Sequence, residues 1–171
     1  MVVSLRPITA SDIAPRRGER VLLTGASGML GRETVFALLR AGYDVRAFQR
    51  GDAGIAELLP ESVTDRFSQV RGSVNDAAVL SQALDGVDGV IHMAAKVSVV
   101  GDWADYERVN IEGTRTVLDA ARAAGIRKFL NTSSPSVAHT GSAIEGEGNP
   151  PASPEHARGN YARSKAAAEQ L

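Results

Sequence analysis

The segment Val21-Leu22-Leu23-Thr24-Gly25-Ala26-Ser27-Gly28-Met29-Leu30-Gly31 decides how this chain is read. A short apolar run enters a glycine-rich turn, and over residues 29–41 apolar positions recur at helical spacing until Gly42 closes the pattern. The order is strand, turn, helix, the setting in which a glycine triplet has a physical reading. Gly25 permits a tight turn, Gly28 lets a pyrophosphate approach the backbone, and Gly31 lets the helix pack close to the sheet. The N–H groups and the positive end of the helix dipole then favour phosphate. The candidate contacts are Gly25, Ser27, Gly28, Met29, Leu30 and Gly31. A ligand-free connection would carry the same glycines, so the flanking elements must decide. The spacing G-x-x-G-x-x-G also differs from the commonest dinucleotide pattern.

Outward from this turn the chain keeps alternating. Residues 43–49 resume as a strand, 63–70 form a weaker strand candidate, and 87–95 are an apolar run suited to a strand buried on both faces. Helical patterns lie between them. One covers 75–84; a longer one covers 105–124, with Val109, Val117, Leu118 and Ala121 on one stripe and Gly125 at its end. Residues 128–132 are the next strand, 135–159 a loop rich in Gly, Pro and Ser, and 161–171 open a helix. This alternation predicts an α/β fold, a Rossmann-type doubly wound parallel sheet with ligands at the carboxyl ends of its strands. Residues 20–171 are expected to form one dinucleotide-binding domain behind an irregular leader, 1–19.

Composition narrows the function. With 43% hydrophobic and 23% charged residues the chain can build one core of ordinary size. A net charge of -1, without like-charge runs, gives no electrostatic reason to bind nucleic acid or anionic lipid. Cysteine is absent, and His92, His139 and His156 lack ligand-like spacing, so no metal is expected. No stretch reads as a secretory signal or a membrane span, and a cytoplasmic protein is expected.

The second strand should end beside an adenosine ribose, where an acidic residue would accept hydrogen bonds from both hydroxyls of NAD. Gln49 and Arg50 stand there instead, and Asp44 lies at the wrong end. A 2′-phosphate would meet no carboxylate, and Arg50 or Arg46 is available to pair with it. NADP is therefore expected over NAD. Two alternatives stay open: both arginines as solvated charges, or Asp52 turning in to restore NAD preference.

Tyr161 and Lys165 are four residues apart at a helix start, so their side chains share one face. Bringing a phenol from about 10 to near neutrality takes about 4 kcal/mol. An ammonium about 4 Å away supplies that order of energy at an effective dielectric near 20. Tyr161 can then give a proton to a carbonyl while a nicotinamide delivers hydride, with Lys165 also holding the nicotinamide ribose. Ser134, after the preceding strand, is placed to bond the substrate oxygen, with Ser133 as its adjacent competitor. Y-x-x-x-K recurs by chance, but of Tyr43, Tyr106 and Tyr161 only the last has lysine at i+4 and follows a Ser-rich strand end.

The runs T-G-A-S-G-M-L-G (24–31), H-M-A-A (92–95), N-I-E-G-T (110–114), T-S-S-P-S-V (132–137) and Y-A-R-S-K (161–165) together resemble the extended short-chain dehydrogenase/reductases, of the epimerase/dehydratase superfamily. A-A-K-V-S-V-V-G-D-W-A-D-Y and K-A-A-A-E-Q are most similar to its 3β-hydroxysteroid dehydrogenase-like branch, which includes bacterial reductases of β-keto substrates. The resemblance implies that Gly25, Gly28 and Gly31 line the pyrophosphate, that Ala94 and Ala95 pass near the cofactor, and that Ser134, Tyr161 and Lys165 match the catalytic positions. Asn110 belongs to a family motif, and His92 is expected to be a packed strand residue. Ser73 stands where the family has an adenine-contacting aspartate after Gly72, which leaves adenine to Val74 and backbone.

Family members continue for well over a hundred residues more. A C-terminally truncated domain is therefore expected, with most of the substrate domain absent and activity of the piece alone in doubt. The expected activity is an NADP(H)-dependent carbonyl reductase or alcohol dehydrogenase acting on a hydrophobic secondary alcohol or ketone. The alternatives are a nucleotide-sugar epimerase or dehydratase, and a non-catalytic cofactor-binding module. A small molecule is the expected partner, and the helix at 105–124 offers a face for a homodimer.

Overall fold

Leu22 and Leu23 are adjacent, point to opposite sides of a strand, and are both fully buried, which makes theirs the central strand of a sheet covered on two faces. The computed structural model describes residues 14–98, 100–138 and 152–171. Expectations for residues 1–13, for His139 and for the middle of the 135–159 loop lie outside the described residues.

Five parallel strands form the sheet: β1 (Arg20–Thr24), β2 (Asp44–Gln49), β3 (Phe67–Arg71), β4 (Gly89–His92) and β5 (Lys128–Asn131). Their spatial order is β3-β2-β1-β4-β5. The chain thus winds outward from β1 to β3 and then returns to the other side of β1. A crevice opens at that switch point, outside the carboxyl ends of β1 and β4. The helices are α1 (Met29–Arg40), α2 (Ala77–Ala83), α3 (Trp103–Tyr106), α4 (Gly113–Ala123) and α5 (Asn160–Glu169).

Each face of the sheet has its own core. Leu23, Val45 and Ala47 pack on one side against Val35, Phe36 and Leu39 of α1. Leu22, Phe48 and Val90 pack on the other against Leu80 and Ala83 of α2 and Val117 and Ala121 of α4. Each such fully buried aliphatic contributes roughly 1.5–3 kcal/mol. Ahead of β1, residues 14–19 form no regular element. They are nonetheless held: Arg16 donates to both carboxylate oxygens of Asp44, at 2.9 and 2.6 Å, and Ala14 N–H donates to Arg40 O at 2.7 Å.

Three expected elements differ in the structure. The strand anticipated over 63–70 is only Phe67–Arg71, because Pro60 starts a 3₁₀ segment, Glu61–Arg66, in which Val63 N–H bonds back to Pro60 O. The strand anticipated over 87–95 ends at His92, because the N–H groups of Met93 and Ala94 leave the ladder and donate to Thr24 Oγ1. The single helix over 105–124 is interrupted by a π-helical turn, Glu107–Glu112, that inserts an extra residue between α3 and α4. Val109 therefore leaves the stripe of Val117 and Ala121 and faces the crevice, while Leu118 is only half-buried.

Candidate active site

The crevice is a cleft of about 670 Å³, within the range of small-molecule sites. Its floor is the turn between β1 and α1. Gly25 has φ +79°, and a Cβ there would lie 2.8 Å from Ala94 N, so both conformation and contact demand glycine. A Cβ on Gly31 would lie 2.2 Å from Gly25 O. Its role is thus to let the helix close against the turn itself, a tighter constraint than packing on the sheet. Gly28 is different. With φ -72° and only Gly25 O near a Cβ, at 3.5 Å, its lack of a side chain serves nothing inside the protein and leaves the cleft floor bare. The first helical bond is Arg32 N to Gly28 O, and no side chain caps α1. The N–H groups of Met29, Leu30 and Gly31 precede it and have no intrahelical acceptor. Bare backbone and outward donors fit a pyrophosphate.

Charge points the same way. Arg50, Arg108 and Lys165 line the cleft, and among the described lining residues there is no carboxylate. Arg46 is not part of it: its Nη1 donates to Ala83 O and Asp85 O, both at 2.7 Å, at the end of α2. Contrary to the expectation from sequence, Arg46 is therefore not placed to pair with a 2′-phosphate. Asp52 accepts from Gly54 N at 2.9 Å and from Arg71 at 2.8 Å, contacts that hold its carboxyl below the usual range and keep it out of the cleft. Gln49 is buried and donates through Nε2 to Gln69 Oε1 at 2.9 Å. Its Oε1 is buried and has no partner among the described residues.

Ser27, Ser73, Val74, Ala94 and Ala95 line the same cleft. So do Tyr161, Lys165, Thr132 and Ser133. Lys165 is 4% exposed, and its Nζ donates to Thr132 O at 2.6 Å. Burial pushes this ammonium's pKa down, and the Glu169 carboxylate one turn on opposes that. Ser134 is not among the lining residues; its Oγ lies 2.9 Å from Ser136 Oγ and accepts from Ser136 N. Ser133 does line the cleft, but its hydroxyl donates to the Glu169 carboxylate. The arrangement can hold an anionic dinucleotide along one wall and present a phenol and an ammonium at its end.

Several residues with a part in this geometry were not given one by the sequence. The Asn110 amide is buried: Oδ1 accepts from Lys96 N at 2.7 Å, and Nδ2 donates to Lys96 O at 3.1 Å and to Ser164 Oγ at 2.8 Å. It ties the loop after β4 to the helix that carries Tyr161 and Lys165. An asparagine inside an otherwise amphipathic helical pattern was the available signal. Arg108 and Asn75, joined by a 2.8 Å bond from Asn75 Nδ2 to Arg108 O, form part of the far wall.

Comparison with known proteins places this geometry in context. The model of the NAD dependent epimerase/dehydratase family matches residues 21–171. A 2-alkyl-3-oxoalkanoate reductase of Stenotrophomonas maltophilia is 35% identical over 153 residues, covering 88% of this chain and 44% of that protein. A 3 beta-hydroxysteroid dehydrogenase/Delta 5-->4-isomerase of Mycobacterium tuberculosis is 36% identical over 134 residues, 74% of this chain and 35% of that one. Among solved structures, MoeE5 in complex with UDP-glucuronic acid and NAD is 28% identical with a TM-score of 0.72, over 88% of this chain and 47% of its own. The chain thus spans less than half the length of these relatives. Among the described residues, no helix is long and apolar enough to cross a membrane.

Proposed function

The chain belongs to the NAD-dependent epimerase/dehydratase family, and from that premise we propose that it carries the dinucleotide-binding and proton-transfer parts of an NADP(H)-dependent reductase of hydrophobic ketones or secondary alcohols. One observation carries this reading: Tyr161 and Lys165 line the same cleft that Gly25 and Gly28 floor. Preference for NADP rests on Arg50 at the end of β2, the missing carboxylate there, and the engagement of Asp52 by Arg71. The β-keto and steroid character of the substrate rests on the reductase and dehydrogenase relatives.

When bound, the nicotinamide supplies the hydride chemistry. The chain's own residues supply the rest. Tyr161 gives its phenolic proton to the substrate oxygen in reduction and takes it back in oxidation. The Lys165 ammonium, removed from water and held by Thr132 O, presents its charge at the same end of the cleft as that phenol. A serine hydroxyl after β5 steadies the substrate oxygen. We assign this to Ser134, whose hydroxyl is shared only with Ser136 and would turn toward the cleft, with Ser133, which lines the cleft but donates to Glu169, as the competitor. A small-molecule substrate, a cytoplasmic location and pairing of two copies through the helical stretch 105–124 complete the proposal.

Tyr161→Phe tests it. In the protein that carries this chain, NADPH oxidation with a β-keto ester or steroid ketone should fall by about 100-fold or more, with calorimetric affinity for NADP unchanged. Undiminished turnover sinks the assignment of Tyr161. A nucleotide-sugar epimerase or dehydratase is the second reading, favoured by the likeness to a structure holding UDP-glucuronic acid and NAD. Conversion of a UDP-sugar without net change in NADPH absorbance would select it.

A further inference from the structure

His92 is a buried ionisable group at the carboxyl end of β4 that the proposed reaction does not touch. Its Nδ1 is 2.7 Å from Thr24 Oγ1, and its Nε2 is 3.0 Å from Thr114 Oγ1. The direction of every proton in this chain follows from the two ends. Thr114 Oγ1 lies 2.6 Å from Asn110 O, and a carbonyl only accepts, so the Thr114 hydroxyl donates there. The Thr114 oxygen therefore faces His92 as an acceptor, which requires the imidazole proton on Nε2. Nδ1 then carries a lone pair, and the Thr24 hydroxyl donates to it. The Thr24 oxygen in turn accepts from Met93 N and Ala94 N, both at 3.1 Å.

We propose that His92 is a positioning residue, held neutral with its proton on Nε2, that couples the phosphate turn to the helix bearing Tyr161 and Lys165. Thr24 immediately precedes Gly25, and the N–H groups it accepts belong to the segment that lies against Gly25 and lines the cleft. At the other end Asn110, whose carbonyl closes the proton chain, holds Ser164 of α5 through its side chain. All donor and acceptor capacity of the Thr24 hydroxyl is used. Protonating Nδ1 would aim an N–H at an oxygen whose lone pairs already serve two backbone donors. The surroundings agree. Lys165 on α5 supplies a positive charge, Thr24 on β1 and Thr114 on α4 are neutral, and Phe129 on β5 offers a tilted ring at 6.4 Å. Burial first, and Lys165 second, push the imidazole down to about 4.

The dinucleotide part of this inference rests on the proposed function; the proton arrangement does not, and the two are read separately. Nitrogen NMR of the histidine-labelled full chain should show His92 as the neutral Nε2–H tautomer from pH 7 to pH 5. A proton on Nδ1, or titration near the ordinary value of about 6.5, overturns the inference whether or not a dinucleotide binds. Calorimetry should then show NADP affinity falling about tenfold in Thr24→Val, which keeps the branched shape and removes the hydroxyl, and returning in Thr24→Ser. Equal affinity in wild type and Thr24→Val overturns the coupling. If Thr24→Val does not fold, Thr114→Val tests the other end: loss of the single-tautomer signal supports the chain of bonds, and an unchanged signal refutes it.

Discussion

At one end of the cleft the turn after β1 presents only backbone: Gly25 with its positive φ, Gly31 closed onto Gly25 O, and Gly28 left bare. At the other end α5 presents side chains, with Lys165 buried and bonded to Thr132 O and Tyr161 half-buried beside it. The first region is specified by sterics, so a single added carbon decides whether it forms. The second is specified by where protons sit, so its shape survives substitutions that its chemistry does not. Tolerance to mutation should therefore differ in kind between the two ends, not merely in degree.

The largest effect belongs to the glycine end and divides it internally. Gly31→Ala should cost more than about 3 kcal/mol, because the new Cβ would meet backbone at 2.2 Å, and backbone yields less than a side chain would. Gly28→Ala should leave the urea midpoint nearly unchanged, since its Cβ finds only an ordinary 3.5 Å contact, yet weaken NADP binding by at least about tenfold. Equal stability losses in the two variants would break the distinction between a glycine needed by the fold and one needed by the ligand.

Acid titration probes the side-chain end through His92, which sits between the two regions. Its folded value of about 4 lies below the unfolded reference of about 6.5. Between these the unfolded chain takes up a proton that the folded chain refuses, so stability falls as pH drops. The stabilisation is fully present above about pH 6.5 and is lost by about pH 4, in total about 3 kcal/mol. Denaturant midpoints across this window should decline in wild type and decline less in His92→Phe. Parallel curves would show that other groups govern acid sensitivity.

The order of strands and helices was legible in the sequence because each apolar run is short, ends in a glycine or polar turn, and gives way to a helical period. The cleft's two ends were legible as local patterns, G-x-x-G-x-x-G directly after β1 and Y-x-x-x-K at the start of α5. What escaped was decided by contacts distant in sequence. The π-helical turn exists around a buried Asn110 amide whose partners are 14 residues away at Lys96 and 54 away at Ser164. Arg46 and Arg50 read alike until the helix-end carbonyls of Ala83 and Asp85 claim the first. Neighbouring serines could not be told apart either, because the partner that engages Ser133 lies 36 residues on, at Glu169.

The smallest effect sharpens the comparison by adding a third region, the end of β2, where a side chain serves binding instead of chemistry. Arg50 is exposed and lines the cleft, so a contact to a 2′-phosphate would be charge-assisted yet partly screened by water. Arg50→Ser should weaken NADP by about tenfold, about 1.4 kcal/mol, and leave NAD affinity unchanged. Raising salt should narrow the gap between wild type and variant for NADP alone. A loss shared equally by both dinucleotides would assign Arg50 to general attraction of the pyrophosphate. The choice of cofactor would then lie with the neutral side chains and backbone that line the cleft beyond β2, Gly72, Ser73 and Val74 among them.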